Sequence, residues 1–343
     1  MNAIEIESPA RLHLGFIDPS GSGSRRFGSL GLALDGLATR VRLARASVDS
    51  IEARSPSAGG ELPRLRQRLQ ALRDALDMHD PLAVELQDAI VPHAGLGSGT
   101  QLALALGYGL ARLGGRELSV RQIAALGERG ARSGIGIGAF EQGGFVLDGG
   151  RGAHTEVPPI IARLPFPAAW RVILLFDATY TGLHGADEVA AFARLPAFAP
   201  EQAATLAHLC LMSVLPALAE ADFATFGPAV TRIQACVGDH FAPAQGGRYA
   251  STRVAHWLAW FAARGAVCYG QSSWGPTGFV IVASADEARA LIDAAKRARA
   301  PDDPLRLRSV AARNVGARIT ESRAEARDAE SRDGPGRLQR GAA

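Results

Sequence analysis

Hydrophobic and polar positions alternate in the first part of the chain and then recur with helical spacing. Residues 3–7 and 12–16 alternate apolar with polar side chains, which predicts strands. Pro9 stands between them and cannot donate to a central ladder, so we expect the first strand to bend or end there. Leucines in residues 65–76 recur on one helical face, and residues 82–90 alternate again. The pattern predicts both helices and strands.

Longer periodic segments fill the rest of the chain. Residues 30–41 predict a strand pair around the turn-forming Asp35-Gly36, and residues 102–112 are apolar enough to predict a buried helix. Ser119 is suited to cap a helix over residues 120–132. Further helices are predicted at 201–219, 223–237, 254–263 and 286–298, and further strands at 170–176, 267–282 and 305–319.

The order of these elements predicts an α+β fold in two lobes. The first lobe is placed at residues 1–155 and the second at residues 156–319. Residues 320–343 alternate charged residues with glycine and proline, and Leu338 is their one large apolar residue. Such a composition cannot bury a core, so we expect this tail to be disordered.

Composition narrows the class of protein. The 343 residues are 47% hydrophobic and 21% charged, with a formal net charge of +3, which suits a globular protein with a sizeable core. Aromatic residues are 6% and no compact Lys/Arg stripe appears, which argues against a nucleic-acid partner. The three cysteines lack disulfide or zinc spacing. With no apolar run of about 18 residues and no signal sequence, we expect a cytoplasmic protein without a membrane partner.

One glycine-rich stretch has the character of a phosphate site. Gly95, Gly97 and Gly99 alternate with other residues, Ser98 and Thr100 follow closely, and the predicted buried helix begins directly afterwards. Glycine lets backbone N–H groups approach an anion, and a helix amino terminus adds unpaired donors. The alternative interpretation is a tight turn before a core helix.

Other polar residues also occur in patterns that suit a site. Arg11 and His13 share one face of an early strand, which could line a site or be half-exposed. Arg25 and Arg26 lie on a flexible glycine-serine loop, where guanidinium groups could capture an anion. Glu141 lies in the second glycine-dense segment, residues 133–150.

Three features in order resemble the superfamily of galacto-, homoserine, mevalonate and phosphomevalonate kinases, the GHMP kinases. They are an early strand with Pro-x-Arg, the loop from Pro92 to Thr100, and a glycine-rich loop between strands near the carboxyl end. The resemblance implies a ribosomal S5 domain 2-like first lobe and a ferredoxin-like second lobe. It also places Glu128 where such kinases keep a metal-binding glutamate. The chain departs from them at residues 136–140, where many of them place a catalytic aspartate.

The departures fit the β-ribofuranosylaminobenzene 5′-phosphate synthase branch of that superfamily. The segments similar to it are Pro9-Ala-Arg-Leu-His-Leu-Gly-Phe-Ile-Asp18, Arg132-Ser-Gly-Ile-Gly136, Phe140-Glu-Gln-Gly-Gly144, Gln245-Gly-Gly-Arg-Tyr249, Gly270-Gln-Ser-Ser-Trp-Gly-Pro276 and Asn314-x-Gly316-Ala. The run Gln-Ser-Ser-Trp-Gly-Pro discriminates most, because an ordinary kinase loop needs no tryptophan there.

This resemblance implies an enzyme that joins phosphoribosyl pyrophosphate to a para-substituted benzoate, releasing CO2 and pyrophosphate. It implies Mg²⁺, held by Ser98 and Glu128, and no ATP. Pyrophosphate would lie at the glycine loop, with Arg25 and Arg26 as a lid. The catalytic and substrate-contacting residues implied are Arg11, His13, Glu141, Gln271, Ser272, Ser273 and Trp274. Trp274 would stack on the aromatic ring, or serve only in packing.

Two other classes of function are kept open by the sequence. The glycine loop also suits an ATP-dependent small-molecule kinase, and the fold could serve as a non-catalytic binding module. The resemblance further implies a homodimer.

Overall fold

The computed structural model describes residues 1–180, 182, 190–192 and 194–322. Its two sheets confirm the predicted α+β fold. The first sheet follows the order β11-β1-β2-β4-β3, and β5 and β6 extend it from β2. Its strands are β1 Ala3–Asp18, β2 Phe27–Arg45, β3 Ser50–Ala53, β4 Leu82–Asp88, β5 Phe145–Asp148, β6 Ile160–Leu164 and β11 Arg318–Ser322. The helices of this lobe are α1 Pro56–Gly59, α2 Leu62–Ala75, α3 Ser98–Leu113, α4 Val120–Leu126 and α5 Ile135–Glu141.

The second sheet has four antiparallel strands in the order β10-β7-β9-β8. The second lobe is formed by β7 Arg171–Asp177, α6 Pro200–Leu209, a π-helical turn Cys210–Val214, α7 Leu215–Glu220, α8 Phe223–Gln245, α9 Thr252–Ala262, β8 Cys268–Gln271, β9 Gly278–Val282, α10 Ala285–Ala298 and β10 Leu305–Val310. Numbered within the lobe, this strand order is 4-1-3-2, the order expected for a ferredoxin-like sheet.

Three groups of buried apolar side chains hold the lobes. One lies between the first sheet and α2, α3 and α4, and another between the second sheet and α9 and α10. The third joins the lobes, because residues of β1 and β2 pack there with residues of α8 and of the loop after β8. α8 therefore contacts β1 directly and fixes how the two lobes meet.

Bulges replace two breaks that the sequence predicts. β1 continues through Pro9, and its register with β2 shifts between Pro9 and Arg11. The expected turn at Asp35-Gly36 is wrong: β2 is one strand from Phe27 to Arg45, and these residues form a bulge with Gly36 at a φ of 72°. A proline or glycine in a strand often marks a bulge. Pro9 and Asp35-Gly36 therefore do disturb the backbone locally, but pairing with the neighbouring strand continues past them.

Other predicted boundaries differ modestly. α4 ends at Leu126 because Gly127 follows it, whereas Ser119 caps its start in a full capping box with Gln122. The last predicted strand is two strands, β10 and β11. Strand pairing places β6 and β11 in the first sheet, outside the range 1–155. Residues 323–343 of the predicted disordered tail lie outside the described residues.

Two chain segments connect the lobes and are hydrogen-bonded to each other. Residues 165–170 lead from β6 to β7, and residues 311–317 lead from β10 back to β11. The backbone N–H of Phe166 donates to Asn314 Oδ1 at 2.7 Å, and Asn314 Nδ2 donates to the Phe166 carbonyl at 2.8 Å. One side chain thus joins both connections.

The segment Pro200–Glu220 is long and apolar enough, by length and composition, to cross a membrane. Its buried face, which includes Leu206, Cys210 and Val214, belongs to the core that joins the lobes. Leu211 and Met212 lie on its exposed face. Of the apolar 18-residue window in this segment, 33% is buried.

Candidate functional site

The glycine loop leads into α3 and leaves the amino terminus of that helix without a side-chain cap. Gly97 precedes the helix with a φ of 87°, and no side chain of the described residues caps the first turn. The first N–H groups of a helix lack intrahelical acceptors and carry the positive end of the helix dipole. No atom of the described residues would lie within 4 Å of a β-carbon at Gly99, so the described part of the chain leaves this side of the first turn open. These features suit an anion at the start of α3.

The loop is held against β1 and the loop after β8. The carbonyl oxygen of Gly95 accepts a hydrogen bond from Arg11 Nη1 at 2.6 Å and one from Ser272 Oγ at 2.7 Å. A β-carbon at Gly95 would lie 2.4 Å from the Ser272 carbonyl oxygen. Gly97 is equally confined, since a β-carbon there would lie 3.2 Å from Arg11 Cγ. Both glycines therefore permit close contact with neighbouring chain segments.

Ser272 connects three of the sequence motifs. Its buried hydroxyl donates to Gly95 and accepts the backbone N–H of His13 at 3.0 Å. The N–H of Ser273 donates to the His13 carbonyl at 3.2 Å. The strand with Arg11 and His13, the glycine loop and the Gln-Ser-Ser-Trp-Gly-Pro loop consequently meet at one place. The Ser272 hydroxyl orients the site through these backbone contacts.

His13 is a buried imidazole whose tautomer is set by its neighbours. The N–H of Gly15 donates to His13 Nδ1 at 3.3 Å, which places the ring proton of the neutral form on Nε2. Nε2 is buried and has no hydrogen-bond partner among the described residues. Burial lowers the pKa of His13 well below 6.5, and the positive charges of Arg11 and Arg132 lower it further. His13 is therefore a neutral donor beside a small cavity that Gln271 and Ser273 also line.

The residues after β8 differ in what they can offer a ligand. Gln271 Oε1 accepts the N–H of Ala250 at 2.7 Å, and its Nε2 donates to Gln245 Oε1 at 3.3 Å. Trp274 is buried, with its ring centroid 4.7 Å from that of Phe241. Its indole packs in the core between the lobes, as the packing interpretation of this residue expects, and its Nε1 lacks a hydrogen-bond partner in the described chain.

The side chains of Arg25 and Arg26 are held by contacts with neighbouring residues of the protein. Arg25 donates to the carbonyl oxygens of Gly149 and Gly150, the latter at 2.8 Å. The Arg26 guanidinium lies 4.9 Å from the ring centre of Phe27. Arg25 and Glu128 both line a groove of about 1180 Å³. The role of the two arginines as a lid stays a prediction.

Ser98 and Glu128 offer a hydroxyl and a carboxylate near the same end of α3. Ser98 begins α3, and Glu128 is exposed two residues after α4. A β-carbon at Gly127 would lie 3.7 Å from Ala103 Cβ, so the chain at this point runs beside the second turn of α3. The described residues hold no group of three or more His, Cys, Asp or Glu side chains that could bind a metal. Mg²⁺ commonly uses one or two carboxylates plus substrate phosphates, which this donor set fits.

The structure does not bring Glu141 or Thr100 to the open side of the loop. Glu141 is exposed at the far end of α5, next to Phe140, whose ring contacts Tyr108 at a centroid distance of 6.1 Å. Tyr108 is ten residues beyond Ser98, or about 15 Å along α3. Thr100 packs against α5, since a β-carbon at Gly136 would lie 2.9 Å from its Cγ2. The second glycine-dense segment therefore serves close helix packing.

Two residues that the sequence did not single out support the site. Gln234 of α8 accepts the N–H of Gln271 at 2.8 Å and lines the cavity beside His13. Gln101 of α3 is fully buried, accepts from Ser8, and donates to the Gly136 carbonyl at 2.8 Å. Gln101 could have been found from the sequence as a glutamine within an apolar helix. The sequence around Gln234 carries no such signal.

The fold and the loop are those of the GHMP kinase class. Family models described as GHMP kinases N terminal domain and GHMP kinases C terminal match residues 64–144 and 214–301. Mevalonate diphosphate decarboxylase from Staphylococcus aureus superposes with a TM-score of 0.64 at 14% identity, over 93% of this chain and 98% of that one. A putative homoserine kinase from Listeria monocytogenes gives 0.61 at 18%, over 93% and 100%. These likenesses show the fold.

Curated relatives define the family more closely. The Archaeoglobus fulgidus protein named beta-ribofuranosylphenol 5'-phosphate synthase is 34% identical over 67% of this chain and 75% of its own length. The Methanothermobacter thermautotrophicus protein of the same name is 31% identical over 67% and 74%. The chain belongs to the beta-ribofuranosylphenol 5'-phosphate synthase family, as the motifs predicted. It is thus a member of a family of enzymes.

Proposed function

We propose that this protein joins phosphoribosyl pyrophosphate to 4-aminobenzoate or 4-hydroxybenzoate and releases CO2 and pyrophosphate. The family relationship supports this reaction. The structural observation that carries it is the hydroxyl of Ser272, which connects the glycine loop to the strand of Arg11 and His13. An anion site and a neutral donor are thereby fixed to one framework. The product is a C-riboside 5′-phosphate for tetrahydromethanopterin biosynthesis.

The first step breaks the bond between ribose C1 and the pyrophosphate oxygen. The N–H groups at the start of α3 stabilise the charge that develops on the leaving group. Ser98 and Glu128 would hold Mg²⁺, which would supply further neutralisation of that charge. The electron pair of the broken bond leaves with pyrophosphate, and C1 becomes electron-poor.

The second step forms a carbon–carbon bond. The ring carbon that bears the carboxylate attacks C1 with its π electrons. The bond to the carboxylate then breaks, its electron pair restores the aromatic ring, and CO2 leaves. We assign the hydrogen bond to the substrate carboxylate to His13 Nε2, which is buried and has no partner among the described residues, with Arg11 adding positive charge on the same strand. A neutral donor orients the carboxylate and does not hold it as a tight ion pair, which suits a group that must depart.

A kinase reaction has less support. It needs a base for the substrate hydroxyl, and the residues of α5 from Ile135 to Phe140 are buried and carry no carboxylate. The part of α5 that would be expected to face a phosphoryl acceptor is therefore apolar.

The reaction is tested by incubating the protein with phosphoribosyl pyrophosphate, Mg²⁺ and each benzoate. Stoichiometric CO2, pyrophosphate and C-riboside are expected, with no product when ATP replaces phosphoribosyl pyrophosphate. Absence of CO2 and pyrophosphate with both acids would contradict the proposal. ADP formation with a small alcohol would favour the kinase. Ligand binding without turnover would favour a binding module. Cytoplasmic location and a homodimer remain predictions.

A further inference from the structure

Three arginines from two elements converge beside the glycine loop. Arg64 and Arg68 are four residues apart on α2 and so share one face of that helix. Arg64 Nη2 lies 2.9 Å from His93 Nε2, and His93 belongs to the glycine loop. Arg129 follows α4 and lines the groove that also holds Glu128. All three arginines are half-buried residues.

Helix packing directs these residues to the amino-terminal end of α3. A β-carbon at Gly107 would lie 2.5 Å from Ile123 and 3.4 Å from Leu72, so α2, α3 and α4 meet there. One turn earlier in α3, Gly127 lies beside Ala103. α4 therefore runs toward the start of α3, and Arg129 comes after it. α2 approaches the same end with Arg64 against the loop.

The described residues balance the positive charge at this place only in part. Arg64 pairs with Glu61 at 2.9 Å. The Nε atoms of Arg68 and Arg129 are buried and have no hydrogen-bond partner in the described part of the chain. Arg129 is close enough to Arg68 and Arg64 for the charges of all three guanidinium groups to act on one another. Buried guanidinium donors without acceptors indicate that an anion completes the cluster.

We propose that Arg64, Arg68 and Arg129 form a diphosphate subsite that continues the cradle at the start of α3. This inference rests on the proposed function, since it assigns the far phosphate of the pyrophosphate group to these arginines. Guanidinium groups bind phosphate oxygens through paired donors, which neither Ser98 nor the loop backbone supplies. Arg25 and Arg26 are engaged by carbonyl oxygens and an aromatic ring, whereas Arg68 and Arg129 keep buried donors for the ligand. The diphosphate could come from activated ribose or from a nucleotide, and competition separates these two sources.

The test measures binding of inorganic pyrophosphate with Mg²⁺ by titration calorimetry. Arg68→Gln and Arg129→Gln should each raise Kd about tenfold or more. Arg66→Gln is the matched control, because Arg66 lies on the same helix and is exposed; its Kd should equal that of the unchanged protein. Thermal melting of each variant verifies folding. Equal Kd in all proteins, or equal weakening by Arg66→Gln, would overturn the subsite.

Competition and turnover complete the test. Phosphoribosyl pyrophosphate should displace pyrophosphate, and Arg68→Gln should raise its KM with less effect on kcat. Displacement by ATP but not by phosphoribosyl pyrophosphate would overturn the assignment to activated ribose. If the unchanged protein forms no C-riboside yet Arg68→Gln still weakens pyrophosphate binding, the proposed reaction fails and the diphosphate subsite stands. If turnover is normal and neither Kd nor KM changes, the subsite alone fails.

Discussion

Ser272 and Gly95 are 177 residues apart in the chain, and the hydroxyl of one donates to the carbonyl of the other at 2.7 Å. We predict that Ser272→Ala loosens the glycine loop and the strand of His13 together. The loss of two buried hydrogen bonds should reduce stability by about 1–3 kcal/mol and lower kcat/KM for phosphoribosyl pyrophosphate at least tenfold. Melting curves and steady-state kinetics measure both. Ser309→Ala, at an exposed position of β10, is the control; similar effects in both variants would contradict a specific role.

Gly99→Ala should separate stability from binding. Its β-carbon would project from the first turn of α3 into a space that none of the described residues fills. Alanine is favoured over glycine within helices by about 1 kcal/mol, so the melting temperature should stay level or rise. If phosphate oxygens occupy that space, KM for phosphoribosyl pyrophosphate should rise about tenfold or more. An unchanged KM would show that the ligand lies elsewhere.

Gly95→Ala should unfold or strongly destabilise the protein, unlike the change at Gly99. Its β-carbon would lie 2.4 Å from the carbonyl oxygen of Ser272, and its φ is 74°. Overlap with backbone and a strained left-handed conformation both oppose the substitution, for a combined loss of about 3 kcal/mol or more. Denaturant titration measures the free energy of unfolding. A loss below about 1 kcal/mol would contradict this packing.

His13 should make stability depend on pH in a defined direction. Burial, aided by Arg11 and Arg132, holds its pKa well below 6.5, so the unfolded chain binds the proton first as pH falls. The contribution of His13 is then constant above about pH 7 and is lost below about pH 6.5, by up to about 1.4 kcal/mol per pH unit. Unfolding titrations between pH 5 and 8 should show a shallower acid slope for His13→Gln. Equal slopes in both proteins would indicate that His13 titrates normally.

Asn314→Ala should weaken the connection between the lobes. It removes both hydrogen bonds to the backbone of Phe166 and leaves that N–H without its acceptor. A loss of about 2 kcal/mol is expected, with faster hydrogen exchange at Phe166. Val315→Ala is the control, because this neighbouring side chain is 66% exposed. Slow hydrogen exchange at the Phe166 amide in Asn314→Ala would argue against this role of Asn314.

Hydrophobic spacing was enough to predict most of the fold. Leucines of α2 and the apolar run of α3 bury the faces that their periodicity indicated. The breaks predicted at Pro9 and Asp35-Gly36 were wrong because local turn preference competes with sheet pairing. The bulges accommodate both. Pairing between distant strands, such as β1 with β11, has no local signal.

The site was less accessible to sequence reasoning because its residues meet through long-range contacts. The glycine loop was visible as a motif, but Arg64 and Arg68 resembled the solvated face of an amphipathic helix. Only the packing of α2 and α4 on α3 brings them to Arg129. Conversely, Glu141 lay in a motif that suggested chemistry, yet α5 carries it to the exposed end away from Ser98.

The bond between Asn314 and Phe166 also restricts how the molecule can move. A lobe joined through one linker can swivel in any direction, whereas the second lobe here is inserted between β6 and β11 and is tethered twice. Two connections that are hydrogen-bonded to each other, together with the core that joins the lobes, oppose that free rotation and hold Ser272 in contact with Gly95 and His13.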